Sequence, residues 1–236
     1  MAETNSPYYT AEHEAYRNSL RSFVAREIEP YAAAWDEAGT FPRELYRKAA
    51  DIGLLRLGFP EEFGGIQADL FHSIVAAQEL ARPGVGGLSA SLMSHSIGAP
   101  PIVFAGRDQL KARVLPEILA GEKISALAIT EPGGGSDVAS LRTSAKRDGD
   151  HYIVNGCKTF ITSGMRADYY TVAVRTGEAG HQGLSLLLIE RDRPGFSRTP
   201  LDRKMGWWCS DTATLYFDDV RVPVENLLGE ENSGSW

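Results

Sequence analysis

The hydrophobic pattern of this chain changes near Gly121, and the change limits the fold more than any other feature. Before that residue, apolar side chains recur at the spacing of one helical face, and the clearest set comprises Tyr16, Leu20, Phe23, Val24 and Ile28. After it, short β-prone runs alternate with turn-forming residues. Helices followed by strands favour an α+β fold, so we predict a helical N-terminal domain at 1–121 and an antiparallel, barrel-like β-sheet middle domain at 122–229.

Proline and glycine divide the helical half into segments. Pro30 is expected to bend or end the first helix. The Thr-Phe-Pro run at 40–42 is expected to open a second helix, with Gly53 as its C-terminal cap. Two further helices are predicted at about 69–82 and 107–120.

The second half carries the signals of strands and hairpins. Asp148-Gly149 and Asn155-Gly156 are dipeptides typical of two-residue hairpin turns. An apolar run at 124–130 has the length of a strand. The other predicted strands cover residues 151–154, 158–162, 169–175, 184–189 and 213–217.

Charge and cysteine content exclude several classes of protein. The net charge is −7 and both halves are acidic, so no broad nucleic-acid-binding surface is expected. The two cysteines, Cys157 and Cys209, form no CxxC motif, which favours reduced thiols in a cytoplasmic protein. The five histidines show no metal-ligand spacing, and we predict no metal site.

No targeting or membrane-spanning segment is expected from the pattern. The first residues lack a basic segment followed by an apolar core, as a signal peptide would have. The longest uncharged stretch, 83–106, has the length of a span but holds two adjacent prolines, His95 and four serines. We predict a buried segment studded with polar residues there.

The most informative stretch is the glycine loop, which we define as residues 130–137, Thr-Glu-Pro-Gly-Gly-Gly-Ser-Asp. Glycines lack the Cβ atoms that keep backbone N–H groups away from a ligand, so such a loop can wrap a phosphate. It is not a P-loop, because no Gly-Lys-Ser/Thr follows. Three glycines alone favour a flexible turn, but the flanking polar residues favour a binding loop.

This loop and several later motifs resemble the acyl-CoA dehydrogenase family. Its signature, Thr-Glu-Pro-Gly-x-Gly-Ser-Asp, matches residues 130–137. The other motifs occur in the family's order, and the resemblance covers essentially the whole chain. They are Gly53-Leu-Leu, Pro60–Gly65, Asn155-Gly-x-Lys158, Phe160-Ile-Thr162, Met205-Gly-Trp207, Ser210-Asp-Thr212, Phe217–Pro223 and Asn226–Gly229.

The resemblance implies an FAD-dependent acyl-CoA dehydrogenase that converts an acyl-CoA thioester to its trans-2-enoyl form, as in fatty acid β-oxidation. It implies hydride transfer to flavin N5, electrons passed to an electron-transferring flavoprotein, and a homo-oligomer (a dimer or tetramer). Two alternatives stay open. One is an acyl-CoA oxidase or flavin monooxygenase of the same superfamily. The other is a non-catalytic fragment that binds flavin or acyl-CoA.

The resemblance also assigns roles around the glycine loop. Leu127, Ile129 and Thr130 lie on a strand similar to the one along the flavin edge, where the Thr130 hydroxyl would donate to the pyrimidine end of the flavin. Gly135 and Ser136 close the loop. Ser136 is expected where the FAD phosphate and the pantetheine arm of the substrate meet, so it would contact both cofactor and substrate.

A second set of roles falls on the triplet that follows Lys158. Phe160 would cover one face of the flavin, at a position where many relatives carry tryptophan. Ile161 belongs to the same cofactor-binding triplet. Thr162 would place its hydroxyl near flavin N5.

No residue of this chain matches the catalytic glutamate of the family. The resemblance places that base, and a C-terminal helical domain, beyond Trp236, so that residues 230–236 would begin a linker. Glu131 is expected to hold the glycine loop by hydrogen bonds rather than to act as a base. The segment Gly86–Ser96 is expected to help shape the acyl-chain pocket, so that replacing Ser91 by phenylalanine would shift the chain-length preference of the complete enzyme.

Overall fold

A computed structural model describes residues 6–233 of the chain. Within this range, eight α-helices precede eight β-strands. The helices are α1 (Ala11–Glu27), α2 (Ala32–Ala38), α3 (Glu44–Asp51), α4 (Leu70–Leu80), α5 (Gly86–Leu92), α6 (His95–Gly98), α7 (Pro100–Ala105) and α8 (Asp108–Leu119). The strands are β1 (Ser125–Ala128), β2 (Ser144–Asp148), β3 (His151–Thr162), β4 (Tyr169–Arg175), β5 (Leu184–Glu190), β6 (Phe196–Pro200), β7 (Thr212–Pro223) and β8 (Leu227–Leu228).

The helical predictions are largely confirmed. Helix α1 buries Leu20, Phe23 and Val24 along the predicted face, and α4 and α8 occupy the two predicted later segments. The chain leaves α1 before Pro30, but then forms the short α2, which the pattern did not predict. The uncharged stretch forms α5, α6 and α7, and no helix among residues 6–233 is long and apolar enough to cross a membrane.

One predicted hairpin is confirmed and the other is wrong. β2 and β3 are joined by a two-residue loop that begins with Gly149 (φ 63°), and Asp148 pairs with His151 across it. Asn155-Gly156 instead lies inside β3, where the register shifts against β7. The Asn155 side chain exchanges two hydrogen bonds of 2.9 Å with Asp219 on β7, so its amide stabilises a bulge rather than a turn.

The strands form one sheet in the order β6-β7-β3-β2-β4-β5-β8, with β1 beside β4. Most neighbours are antiparallel, as predicted, but β4 pairs in parallel with β1 and, at one position, with β2. The sheet is open, because β6 and β8 lie at opposite ends of the strand order. The helical part followed by a sheet is therefore confirmed, whereas the sheet is mixed and does not close into a barrel.

Buried hydroxyl groups join the helices to the sheet. Ser91 Oγ lies 2.7 Å from Ser210 Oγ, and Ser163 donates to Ser94 Oγ at 2.8 Å. Ser91 is fully buried in this joint. The side chain of Ser91, on α5, is therefore enclosed against the segment before β7, and the effect expected of Ser91→Phe on chain-length preference stays a prediction.

A buried histidine makes the stability of this half depend on pH. His95 stacks on Phe59, and its Nε2 donates to the Leu55 carbonyl at 2.8 Å. Burial lowers the pKa of His95 from 6.5 to about 4, although the hydrogen bond to Leu55 opposes the shift. Between these values the folded chain binds fewer protons than the unfolded chain, so its stability rises with pH.

We therefore expect the free energy of unfolding to fall as the pH drops from 6.5 towards 4, by up to about 1.4 kcal/mol per pH unit. Urea denaturation at pH 7, 6 and 5 measures this slope. His95→Asn should remove most of it, while the same change at the exposed His181 should not. Equal slopes in the wild type and in His95→Asn would show that another group titrates.

Candidate flavin site

The glycine loop leaves the end of β1 and exposes its backbone. A tight turn is held by the Glu131 N–H on the Gly134 carbonyl (3.0 Å) and the Gly134 N–H on the Glu131 carbonyl (3.1 Å). A Cβ atom added at Gly133 or Gly134 would meet nothing within 4 Å. The outer face of the loop is therefore open to a ligand, which can approach the backbone N–H groups closely.

A buried ion pair fixes the inner side of the loop. Glu131 accepts hydrogen bonds of 2.8 Å from the backbone N–H groups of Arg142 and Thr143, and one of 2.9 Å from Lys158 Nζ. Although desolvation opposes it, these hydrogen bonds hold the pKa of Glu131 below its usual value. The contacts agree with the role predicted for Glu131, which is to hold the loop.

A bulge in β3 presents Phe160 beside this loop. The register with β7 shifts between Lys158 and Ile161, and Phe160 has φ 58° with 62% of its surface exposed. A non-glycine residue in the left-handed region costs roughly 1 kcal/mol or more and persists only where its surroundings enforce it. The Thr159 N–H donates to the Thr130 carbonyl at 2.9 Å, so the bulge is tied to the start of the glycine loop. We call residues 158–161 the Phe160 bulge.

The glycine loop and β3 bring three of the predicted residues close together, namely Thr130, Phe160 and Thr162. Thr162 is half-buried and pairs with Thr212, two residues beyond the exposed Phe160 ring. Ile161, by contrast, is buried against β7, so only its main chain can face a ligand.

The remaining predicted residues lie along β1 and the loop tip. Leu127 is half-buried on β1 and pairs with Thr171, while Ile129 offers its carbonyl to Lys158. Gly135 and Ser136 are exposed on the loop. Among the described residues, hydrogen bonds join the Thr130 segment to the Phe160 bulge but none joins Ser136 to it.

One cavity borders the glycine loop, and another lies in the helical half. One of about 370 Å³ lies under the glycine loop and is bordered by Ile129, Thr143 and Cys157. Another of about 250 Å³ lies between α4 and the segment 89–96. Its lining is mostly apolar and includes Ala76, Leu80, Ser89, Met93, His95 and Ser96. Part of the predicted pocket segment therefore does border a cavity, although Ser91 does not.

A histidine cluster that the sequence analysis did not predict joins α1 to α4. Thr10 and Asp69 each form a capping box with the histidine three residues later, and His13 Nε2 donates to the Asp69 carboxylate at 2.8 Å. Ligand atoms of His13, Asp69 and His72 lie within 4.8 Å of one another. Two helix N-termini meet there, and their positive ends disfavour a cation. The Thr-x-x-His and Asp-x-x-His spacings in the sequence could have indicated the two capping boxes, but not the contact between α1 and α4.

Two family models match the chain. One describes the N-terminal domain of acyl-CoA dehydrogenases and matches residues 10–122. The other describes the middle domain of the same family and matches residues 126–220.

Similar proteins carry related names. Cyclohexane-1-carbonyl-CoA dehydrogenase of Geobacter metallireducens is 41% identical, over 92% of this chain and 57% of that protein. The mitochondrial long-chain specific acyl-CoA dehydrogenase of Rattus norvegicus is also 41% identical, over 96% of this chain and 53% of that protein. The chain thus spans a little over half the length of these curated relatives.

One of the similar solved structures is a complex with a ligand. An acyl-CoA dehydrogenase of Bacillus anthracis, crystallised in complex with FAD, superimposes with a TM-score of 0.88 at 35% identity. The match covers 96% of this chain and 40% of that one.

Proposed function

Because this chain belongs to the acyl-CoA dehydrogenase family, we propose that it supplies the N-terminal and middle domains of an FAD-dependent enzyme that dehydrogenates an acyl-CoA thioester between its α and β carbons. The observation that carries the proposal is the exposed Phe160 ring, held at a strained bulge beside the open glycine loop. We keep the division into 1–121, 122–229 and a linker start at 230–236 as part of this proposal; residues 234–236 lie outside the described residues.

The residues present fit a flavin dinucleotide. An exposed aromatic ring suits stacking on a flat heterocycle, and an open glycine backbone suits a diphosphate. Phe160 would therefore cover one face of the ring system, and the loop that includes Gly135 and Ser136 would bind the phosphates. FAD, when bound, supplies the two-electron acceptor for the reaction.

The other proposed roles belong to hydroxyl and backbone groups. Thr130 would donate to the pyrimidine end of the flavin, Thr162 would donate near N5, and Leu127 and Ile129 would border the flavin edge. The main chain of Ile161 would lie between the contacts made by Phe160 and Thr162. Phe160 would also exclude water from the face of the flavin that it covers. Ser136 would bind the pantetheine arm as well as the cofactor phosphate.

The cavity beside Ser89 and Met93 is the proposed place for the distal part of the acyl chain. Relatives of equal identity are named for a cyclic and for a long-chain substrate, so we assign no chain length. We place the catalytic base outside this chain. Oxidation of the reduced cofactor by an electron-transferring flavoprotein, and assembly into a homo-oligomer, complete the proposal.

Titration of FAD into the purified chain, followed by visible absorbance, tests the proposal. We expect a resolved flavin spectrum, and Phe160→Ala should weaken FAD binding about tenfold because it removes roughly 1.4 kcal/mol of stacking. Phe104→Ala is the matched control, since Phe104 is a more exposed phenylalanine on α7. Unchanged affinity in Phe160→Ala, or a spectrum that remains that of free FAD at every concentration, would contradict the proposal.

A further inference from the structure

Lys158 is the only cation among the described residues whose side chain is completely buried. Its Nζ donates to the Ile129 carbonyl and to Glu131 Oε1, each at 2.9 Å. The neighbouring Thr159 N–H donates to the Thr130 carbonyl. Three consecutive residues, 129–131, are therefore each bonded to the start of the Phe160 bulge.

Through Glu131, the same lysine is also linked to the chain that follows the glycine loop. Its partner Glu131 accepts the backbone N–H groups of Arg142 and Thr143, which lie where the chain returns towards β2. The start of the loop and the segment that leads from it to β2 thus meet at one carboxylate, and that carboxylate accepts a hydrogen bond from one ammonium group. Separation of this ion pair would leave a buried charge without a partner, which costs free energy. The contacts of Lys158 and Glu131 are therefore strongly maintained.

We propose that Lys158 is a positioning residue that locks the glycine loop to the Phe160 bulge, so that the groups on both elements bind their ligand as one preformed site. The identity of that ligand as FAD rests on the function proposed above. The lock itself rests only on the contacts of Lys158 and Glu131.

The ionisation of Lys158 gives the lock a distinct pH dependence. Burial lowers the pKa of Lys158 to about 8, although the hydrogen bond with Glu131 opposes the shift. The titratable groups that act on it are Glu131, whose pKa is held below its usual value by hydrogen bonds although desolvation opposes them, and Cys157, whose pKa is raised by burial. Above pH 8 the ammonium is lost, and its charge-assisted hydrogen bonds weaken.

The sign of this effect separates a lock from a general stabilising contact. Between about 8 and 10.5 the folded chain binds fewer protons at Lys158 than the unfolded chain does, so this group makes the fold more stable as the pH rises. The order of the loop should nevertheless fall as the pH rises through about 8, because the contact with Glu131 raises the pKa of Lys158 and is therefore lost when the ammonium deprotonates. If Lys158 only stabilised the fold as a whole, its deprotonation would not loosen the glycine loop while leaving the free energy of unfolding undiminished.

Hydrogen exchange on the ligand-free chain tests the lock directly. In Lys158→Met, protection should fall at least tenfold in peptides that cover 129–143 and 158–160, and stay within twofold in β4 and β5. Lys204→Met is the matched control, because Lys204 Nζ ties a different loop through the carbonyls of Trp207 and Ser210. Uniform loss of protection, or no loss in the glycine loop, would overturn the proposal.

Affinity for FAD then tests the functional part. We expect the dissociation constant to rise at least tenfold in Lys158→Met and in Glu131→Gln, and no further in the double variant. In the wild type it should rise between pH 7 and 9.5, while in Lys158→Met it should be flat. Unaltered affinity despite a loosened loop would overturn the positioning role. If the wild type bound no FAD, the proposed function would fail, and hydrogen exchange would still decide whether the lock exists.

Discussion

Replacing Gly121 by alanine is expected to lower the free energy of unfolding by about 3 kcal/mol. Gly121 has φ +72°, and an added Cβ would lie 2.3 Å from the Tyr46 carbonyl oxygen. The left-handed backbone costs an alanine roughly 1 kcal/mol, and the clash with fixed backbone adds about 2 kcal/mol. Because Gly121 connects α8 to β1, a backbone shift that relieves this clash would disturb packing in both the helical half and the sheet. Urea denaturation measures the loss.

Gly149→Ala separates the two contributions. Gly149 has φ +63°, but an added Cβ would meet nothing within 4 Å. This variant should lose only about 1 kcal/mol, the cost of the backbone conformation alone. Equal losses at the two positions would mean that the close approach to Tyr46 contributes nothing.

The second large effect is expected at Glu79, a glutamate with only 2% of its side chain exposed. Arg21 donates to it at 2.9 and 3.1 Å, and Arg17 and Arg82 lie 3.4 and 3.6 Å away. Glu79→Gln should destabilise the chain by about 2 kcal/mol. That is less than the loss of a fully buried pair, because two of the three arginines are partly exposed to water.

The ionisation of Glu79 adds a pH signature to this prediction. Desolvation acts to raise its pKa, but the arginines, Arg21 foremost, hold it below the ordinary value of 4.5. The stabilisation is therefore present above that value and is lost as the pH falls through the folded pKa. In urea denaturation, the free energy of unfolding should fall less between pH 7 and pH 3 in Glu79→Gln than in the wild type. Glu62→Gln, at an exposed glutamate, should change neither quantity.

The helices and strands that could be predicted are those whose buried face repeats. Helix α1 and strand β4 have strong apolar patterns, and both form within a few residues of the expected bounds. Helix α2 was missed because Ala-Ala-Ala-Trp-Asp-Glu-Ala has no apolar period and no side-chain cap. Strand β6 was missed because it exposes most of its residues at the edge of the sheet.

The sequence identified which residues form the candidate site, but it did not predict how they are arranged in space. The glycine loop and the triplet from Phe160 to Thr162 could be read from local motifs. The burial of Lys158 could not, because a register shift in β3 decides which side chains point inward. The contact of Thr159 with Thr130 joins residues that only the assembled sheet brings together.

The parallel pairing of β1 with β4 sets an order of events during synthesis of the chain. Ser125 pairs with Tyr169 and Ala128 with Val172, so β1 emerges from the ribosome more than forty residues before its partner. Contacts between distant residues form late and slowly. Contacts among the helices can form earlier, although their core residues share one hydrophobic cluster with the sheet. The glycine loop, whose anchor on β3 also comes later, becomes ordered only after the sheet around it has been translated.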